Sequence, residues 1–167
     1  MKFVKPPSET EQKPIYAEYA VSGWLRSPLI FLYAILLGIG LNLPWPLHYV
    51  PSTFRLLGPL VVLCAVMLFL LSVREFRAAG TPVRGIERTS TIVRTGPYRF
   101  SRNPIYLSHI LLILGLWVWL NDLWLLVTLV PAVGFIALVV IPREESFLER
   151  NFHDQYSSYK ATVRRWL

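Results

Sequence analysis

Four apolar runs, at residues 29–43, 56–73, 105–120 and 123–141, constrain this chain more than anything else in it. Roughly 20 apolar residues in a helix cross the ~30 Å of hydrocarbon in a bilayer, and the second and fourth runs come close to that length. The first and third are shorter, and interfacial aromatic neighbours such as Trp45 extend them. With 54% hydrophobic residues and a mean hydropathy of +0.46, the 167-residue chain is too apolar for an ordinary soluble domain. The Asn121-Asp122 link leaves room only for a helical hairpin, so the last two runs are antiparallel neighbours. The expected fold is therefore all-α: an integral membrane bundle of about four transmembrane helices, completed by a loop and a tail helix on one membrane face.

The basic residues orient this bundle. Sixteen of the 17 Lys and Arg fall before the first run, between the second and third, or after the fourth, and Arg55 alone lies on the other side. By the positive-inside rule both ends and the long loop are cytoplasmic. That topology, with attraction to anionic membrane lipids, accounts for the net charge of +7 without a nucleic-acid partner. The expected organisation is one domain over residues 1–167: an interfacial segment (1–27), two spans (28–73), a cytoplasmic loop (74–104), two further spans (105–141) and a cytoplasmic tail helix (142–167). The first 14 residues are polar, carry three prolines and lack an apolar core with a cleavage site, so this segment is expected to stay on the mature protein. Beyond them Tyr16, Tyr19, Ala20 and Trp24 recur at helical spacing, either as an interfacial amphipathic turn or as a tether with aromatics at headgroup depth.

Several chemistries lack their residues. Cys64 stands among Val62, Leu63, Val66 and Met67 as a small buried hydrophobe, and a lone cysteine forms no intramolecular disulfide. His48, His109 and His153 are scattered without metal-binding spacing, so no metal is expected. Neither a glycine-rich nucleotide loop, a phosphate-binding loop nor a nucleophile elbow occurs.

Polar chemistry concentrates in two stretches. Gly96-Pro97-Tyr98-Arg99-Phe100-Ser101-Arg102-Asn103-Pro104-Ile105-Tyr106 leads into the third run and Arg143-Glu144-Glu145 follows the fourth, so both reach the membrane at one face. Gly80-Thr81-Pro82, Gly85 and Gly96-Pro97 break any long helix in the loop, and irregular backbone there keeps N–H and C=O groups within reach of a ligand. Pro104 is preorganised for a first helical position, and Asn103 before it is an N-cap whose side chain accepts from first-turn N–H groups. The positive end of that helix suits an acceptor-rich polar ligand; equally, Arg99 and Arg102 are flanking charges and Asn103-Pro104 a simple cap. In the tail, Phe147, Leu148, Phe152, Tyr156, Tyr159 and Val163 recur at near-helical spacing and press an apolar face back on the bundle. Carboxylates beside an anionic leaflet are opposed electrostatically, so Glu144 and Glu145 point to a cationic or donor-rich partner, or else pair with loop arginines or favour the start of the tail helix.

These residues, with Leu107 and Val163-Arg164-Arg165-Trp166, resemble the isoprenylcysteine carboxyl methyltransferase and phospholipid methyltransferase superfamily over roughly the second half of the chain, from Gly80 onward. The resemblance implies an integral membrane enzyme that takes S-adenosylmethionine from the cytosol into the loop and a lipophilic small molecule or lipid substrate from the bilayer. Carried over position by position, it puts cofactor contacts on Ser90, Thr91, Ile92 and Val93, on Tyr98, on Asn103, Pro104, Ile105 and Tyr106, and on Glu144. Glu144 would accept from the cofactor's ammonium or ribose hydroxyls, Tyr98 and Tyr106 would shape its adenosine or methionine ends, and Arg102 or Arg143 would pair with a carboxylate or substrate oxyanion. Methyl transfer is an in-line displacement that relies on positioning and water exclusion rather than a covalent nucleophile. Where the acceptor is an amine, Glu145 or His109 is the residue to remove a proton, so Arg102, Glu145 and His109 are the catalytic candidates.

The chain departs from the family pattern at four places. Many members carry His at the position of Asn103 and Gly at those of Ser108 and His153. The phospholipid branch has Gly-x-Gly before its paired glutamates, where the third span here reads Gly115-Leu116-Trp117, and this disfavours phospholipid N-methyl transfer. Two other classes compete: a non-catalytic membrane scaffold or lipid-binding protein, and a small transporter with Asn42, His109 and Asn121 as its polar path. Intact Tyr98, Asn103-Pro104, Tyr106 and Glu144 disfavour the scaffold.

Overall fold

The computed structural model describes residues 28–41, 51–79 and 92–167. Among them there is no strand, and the fold is all-α. Helix α1 is Pro28–Leu41. A turn, α2 (Ser52–Arg55), leads into α3 (Leu57–Ala78); α4 is Pro104–Leu120, α5 Trp124–Phe135 and α6 Ile141–Thr162, the last two joined by a π turn, Ile136–Val140. Each apolar run thus contributes a helix. Thr53–Ala78, of 26 residues, and Trp124–Thr162, of 39, are long and apolar enough to cross a membrane, whereas α1 and α4 are shorter apolar helices. The expected interfacial segment, Asn42, Trp45, His48 and residues 80–91 of the loop lie outside the described residues.

Helices α3 and α4 run antiparallel and nearly touch. A methyl group built on Gly58 would fall 2.5 Å from the Trp119 backbone nitrogen, and one on Gly115 would fall 2.8 Å from Val62 Cγ2 and 2.9 Å from the Val62 nitrogen. The buried residues of α3, namely Gly58, Ala65 and Ser72, recur every seven positions and are all small, while Leu60, Leu63, Met67 and Leu70 are exposed. In lipid no hydrophobic drive joins two helices, so close backbone packing at small residues does. Cys64, expected to be buried, lies on the exposed face, because the buried seam passes through Ala65 beside it. A second core forms where Phe31, Ile113, Leu125, Leu129 and Ile136 pack together, joining α1, α4, α5 and the π turn.

The hairpin between α4 and α5 turns where the sequence requires. Asn121 has φ 55° and donates its N–H to the Trp117 carbonyl at 2.8 Å, and the Asp122 carboxylate accepts from the Trp124 N–H at 3.0 Å. Asparagine tolerates the left-handed conformation that ends a helix, and aspartate starts the next one. Pro142, by contrast, does not break the helix. The missing proline N–H would break the ladder of a regular helix, but the π turn directly before it shifts the bonding register and the helix continues. It bends instead at His153, whose φ of 35° and ψ of −111° are not helical. Past that bend Tyr156 and Tyr159 are buried, as their spacing led us to expect.

Two substitutions test this packing in opposite directions. Gly58→Ala should push α3 off Trp119 and destabilise the protein by about 1–3 kcal/mol, the usual cost of overpacking, seen as a lower unfolding midpoint in detergent; an unchanged midpoint would mean the crossing has slack. His153→Gly should raise the midpoint. The exposed imidazole gives up little packing, and relief of roughly 1–3 kcal/mol of backbone strain outweighs the ~0.5–1 kcal/mol entropic cost of a glycine.

Candidate active site

The polar stretch before α4 is built around one glycine. Gly96 has φ 58°, a conformation that favours glycine, and a methyl group on it would lie 2.7 Å from Glu75 Cγ and displace that side chain. Beside it the Thr95 hydroxyl donates to the Glu75 carboxylate, which ties the loop to the end of α3. The chain then enters a 3-10 turn, Gly96–Arg99. That turn carries Tyr98, 5% exposed, against Phe76, with ring centroids 5.1 Å apart at 75°. The Tyr98 carbonyl accepts from the Tyr159 hydroxyl at 2.8 Å. Tyr98's own hydroxyl is buried without a hydrogen-bond partner among the described residues. Burial, with Tyr159 and Glu144 nearby, pushes its pKa up, so it stays a neutral donor. An unsatisfied buried donor costs on the order of 1–3 kcal/mol, and an acceptor on a ligand would remove that cost.

Pro104 opens α4 at its first turn as predicted, but Asn103 does not cap it. The Asn103 backbone, at φ −129° and ψ 52°, lies outside the extended conformation that aims a capping side chain at the first turn. Its Nδ2 donates instead to the Arg165 carbonyl at 3.1 Å, and its backbone N–H donates to Ser101 Oγ at 3.1 Å.

Within the first turn of α4 the Tyr106 hydroxyl donates to Glu144 Oε1 at 2.7 Å, across 38 positions of sequence. The two polar stretches therefore converge. Glu144 stands in the first turn of α6, and protein surrounds its carboxyl closely although part of the side chain remains exposed. Burial pushes its pKa up to about 7, while the Tyr106 hydrogen bond pulls it down and the Glu145 charge adds to the rise. Near neutral pH this carboxyl is poised between its acid and its anion.

Glu145, the next residue, faces a different way because successive helical residues point about 100° apart. It is buried, and its Oε1 accepts from Arg102 Nη1 at 3.0 Å. Arg165 binds it as a fork, Nη2 to Oε2 at 2.7 Å and Nε to Oε1 at 3.2 Å. Arg102 also donates to the Tyr156 hydroxyl at 3.3 Å, and its Nε is buried without a partner among the described residues.

The other expected site residues are distributed more widely. Pro104 and Ile105 are buried in the first turn of α4; Val93 is buried and Ile92 half-buried ahead of Thr95. Ser90 and Thr91 lie outside the described residues. His109 sits further along α4, its Nδ1 2.7 Å from the Ile105 carbonyl and its ring stacked 4.9 Å from Phe31 and edge-on to Phe69 at 5.6 Å. Arg143 is exposed. Sequence reasoning missed Glu75 and Arg165 as partners, and read Tyr156 and Tyr159 as apolar packing when their hydroxyls join the polar network. The signal was two hydroxyls three positions apart on the helix face turned to the arginine-rich loop.

An uncharacterized protein of Haemophilus influenzae is 38% identical to this chain over 63 residues, which is 38% of the chain and all of that relative. No solved structure matches it. A family model described as phospholipid methyltransferase matches residues 53–155, an interval that contains α3 to α5, the 3-10 turn, Tyr106 and the paired glutamates. With two helices of membrane-crossing length and apolarity inside or overlapping that interval, the chain is a membrane protein. Because the match covers well over half of its residues, the chain belongs to the phospholipid methyltransferase family.

Proposed function

We propose that this protein is a membrane-embedded methyltransferase that moves a methyl group from S-adenosylmethionine to a lipophilic acceptor. Family membership implies methyl transfer, and members generally use S-adenosylmethionine. The observation that carries the reading is the 2.7 Å bond between Tyr106 and Glu144, close to the unpartnered Tyr98 hydroxyl.

The donors and acceptors present fit the cofactor. Glu144 accepts from its ammonium or ribose hydroxyls, a charge-assisted bond. The buried Tyr98 hydroxyl supplies the donor for an acceptor atom, and the amide oxygen of Asn103 supplies a further acceptor. Pro104, Ile105, Val93 and Ile92 supply apolar walls, and the reading extends to Ser90 and Thr91 through their distance from Gly96. Bound there, S-adenosylmethionine supplies an activated methyl group on a sulfonium centre. The chain positions the two reactants and keeps water out. Arg102 keeps its Nε–H for an oxyanion. Glu145 has both oxygens engaged by guanidiniums, so we assign it to holding Arg102 rather than to proton transfer. For an amine acceptor His109 is the base: with Nδ1–H given to the Ile105 carbonyl, the tautomer leaves the Nε2 lone pair available.

In the membrane we place four crossings, α1, α3, α4 and α5 with the π turn as far as Ile141, followed from Pro142 by a cytoplasmic tail helix, within one domain over residues 1–167. The side that holds sixteen of the 17 Lys and Arg, including the site loop and both ends, faces the cytoplasm. The acceptor we favour is a carboxylate or thiol on an isoprenoid-like lipid, supported by Gly115-Leu116-Trp117 in place of the Gly-x-Gly of the phospholipid branch. The family match itself favours a second acceptor, a phospholipid amine.

Glu144→Gln should weaken S-adenosylmethionine binding roughly 10- to 100-fold, the effect of losing about 1.5–3 kcal/mol from a hydrogen bond to a charged group, measured by calorimetric titration in detergent. Wild-type affinity should rise with pH through about 7 and then level off, since the carboxylate is the form that holds a cation, and the substitution should flatten that profile. Stability without ligand runs the other way. A folded pKa above the ordinary 4.5 means that the contribution of Glu144 is fully present below about 4.5 and is lost as pH rises through about 7. An absence of heat at millimolar cofactor would support the scaffold reading instead. Mass spectrometry of lipids from cells with and without the protein, fed methyl-labelled methionine, should show a labelled methyl ester or thioether on an isoprenoid lipid, whereas label in a phospholipid headgroup would establish the second acceptor.

A further inference from the structure

We infer that residues 163–167 are a strap that fixes the orientation of Asn103, and that Arg165 is a positioning residue for the cofactor site; this rests on the proposed S-adenosylmethionine binding. The helix α6 ends at Thr162, and Val163 turns extended, with φ −121° and ψ 131°. From there the chain lies along the residues that precede α4. The Arg102 N–H donates to the Arg164 carbonyl at 3.0 Å, and the Arg165 carbonyl accepts twice, from Ser101 Oγ at 3.3 Å and from Asn103 Nδ2 at 3.1 Å. Three consecutive residues at the mouth of the site are thus bonded to two consecutive carbonyls of the strap.

Two anchors hold the strap down. The Arg165 guanidinium grips the buried Glu145 with two bonds, and Trp166 packs against the core of α1, α4 and α5. The consequence falls on Asn103. A primary amide carries donors on nitrogen and acceptors on oxygen, and its two ends are otherwise free to exchange by a flip. With Nδ2 committed to the Arg165 carbonyl, Oδ1 is the end left to the site, and no described residue donates to it. The strap therefore fixes which end of the Asn103 amide is the free acceptor, although Nδ2 keeps a second N–H. What it selects is the donor-bearing part of the cofactor: the ammonium, a ribose hydroxyl or an exocyclic amine. The strap lies beyond the matched residues 53–155, and the resemblance that includes Val163 to Trp166 gives them no role.

A mutant cycle on the full chain separates this from a merely structural ion pair. S-adenosylmethionine is titrated into wild type, Arg165→Ala, Arg165→Lys, Asn103→Ala and the Asn103→Ala/Arg165→Ala double variant, with the thermal midpoint of each recorded. Arg165→Ala should weaken binding about tenfold, and Arg165→Lys, which still reaches Glu145, should recover most of it; in the Asn103→Ala background the Arg165 change should cost less than about twofold, because the two act through one amide. Equal losses in both backgrounds would overturn the inference and leave Arg165 as an ion-pair partner, and so would full affinity in Arg165→Ala. If Arg165→Ala does not fold, Trp166→Ala loosens the strap with the Glu145 pairs intact and takes its place in the cycle, with the same non-additivity expected and additive losses fatal. Failure of the wild type to bind at all would overturn the cofactor reading and the strap's role with it, whereas binding that ignores the strap overturns only the latter.

Discussion

One buried carboxylate joins the parts of this protein that meet at the loop end of the bundle. Glu145 cannot sit ionised out of water without compensation, and two guanidiniums supply it, one from the residue before Asn103 and one from the strap. Such an ion triad, buried at Glu145 and Arg102 and open to solvent at Arg165, adds little net stability over an apolar equivalent, but losing Glu145 strands the buried Arg102 charge, and losing either arginine leaves the carboxylate with one partner where it had two. Its effect is therefore on specificity: loop, α6 and strap are correct together or not at all. Glu144, one residue earlier, is released from that duty by helical geometry and turns to Tyr106.

Below this junction the position of α4 is fixed by steric rather than polar means. Gly58 and Gly115 let α3 and α4 approach until a single methyl group would collide. That crossing, near the end of α4 remote from the site, sets the line of the helix whose first turn carries Tyr106. At the other end of α3, Glu75 holds Thr95, and its side chain packs against Gly96 where a methyl group would displace it. The same helix thus locates both the 3-10 turn and the span that follows it.

The sequence was most legible where one local force decides. Uninterrupted apolar runs became helices, Pro104 opened α4, Asn121-Asp122 closed a hairpin, and the two polar stretches met at one end. It was silent where distant partners compete. Asn103 has the chemistry of a cap, yet an acceptor 62 positions away takes its amide. Hydropathy placed Cys64 inside because it cannot tell a protein neighbour from a lipid one; size, read along Gly58, Ala65 and Ser72, marks the true seam. Tyr156 and Tyr159 counted as apolar for the same reason, and their hydroxyls went unread. The glycine that the family resemblance implies at His153 was a usable clue, for the backbone there adopts a conformation that side chains resist.

The π turn at Ile136–Val140 also bears on how relatives should be compared. It wedges one surplus residue into the membrane helix shortly before the paired carboxylates. In a relative that lacks this widened turn, a gap-free alignment would slide by one position and pair Glu144 with the wrong member of its acidic doublet. Homologous carboxylates here are better matched by the partner each one faces than by counting along the chain.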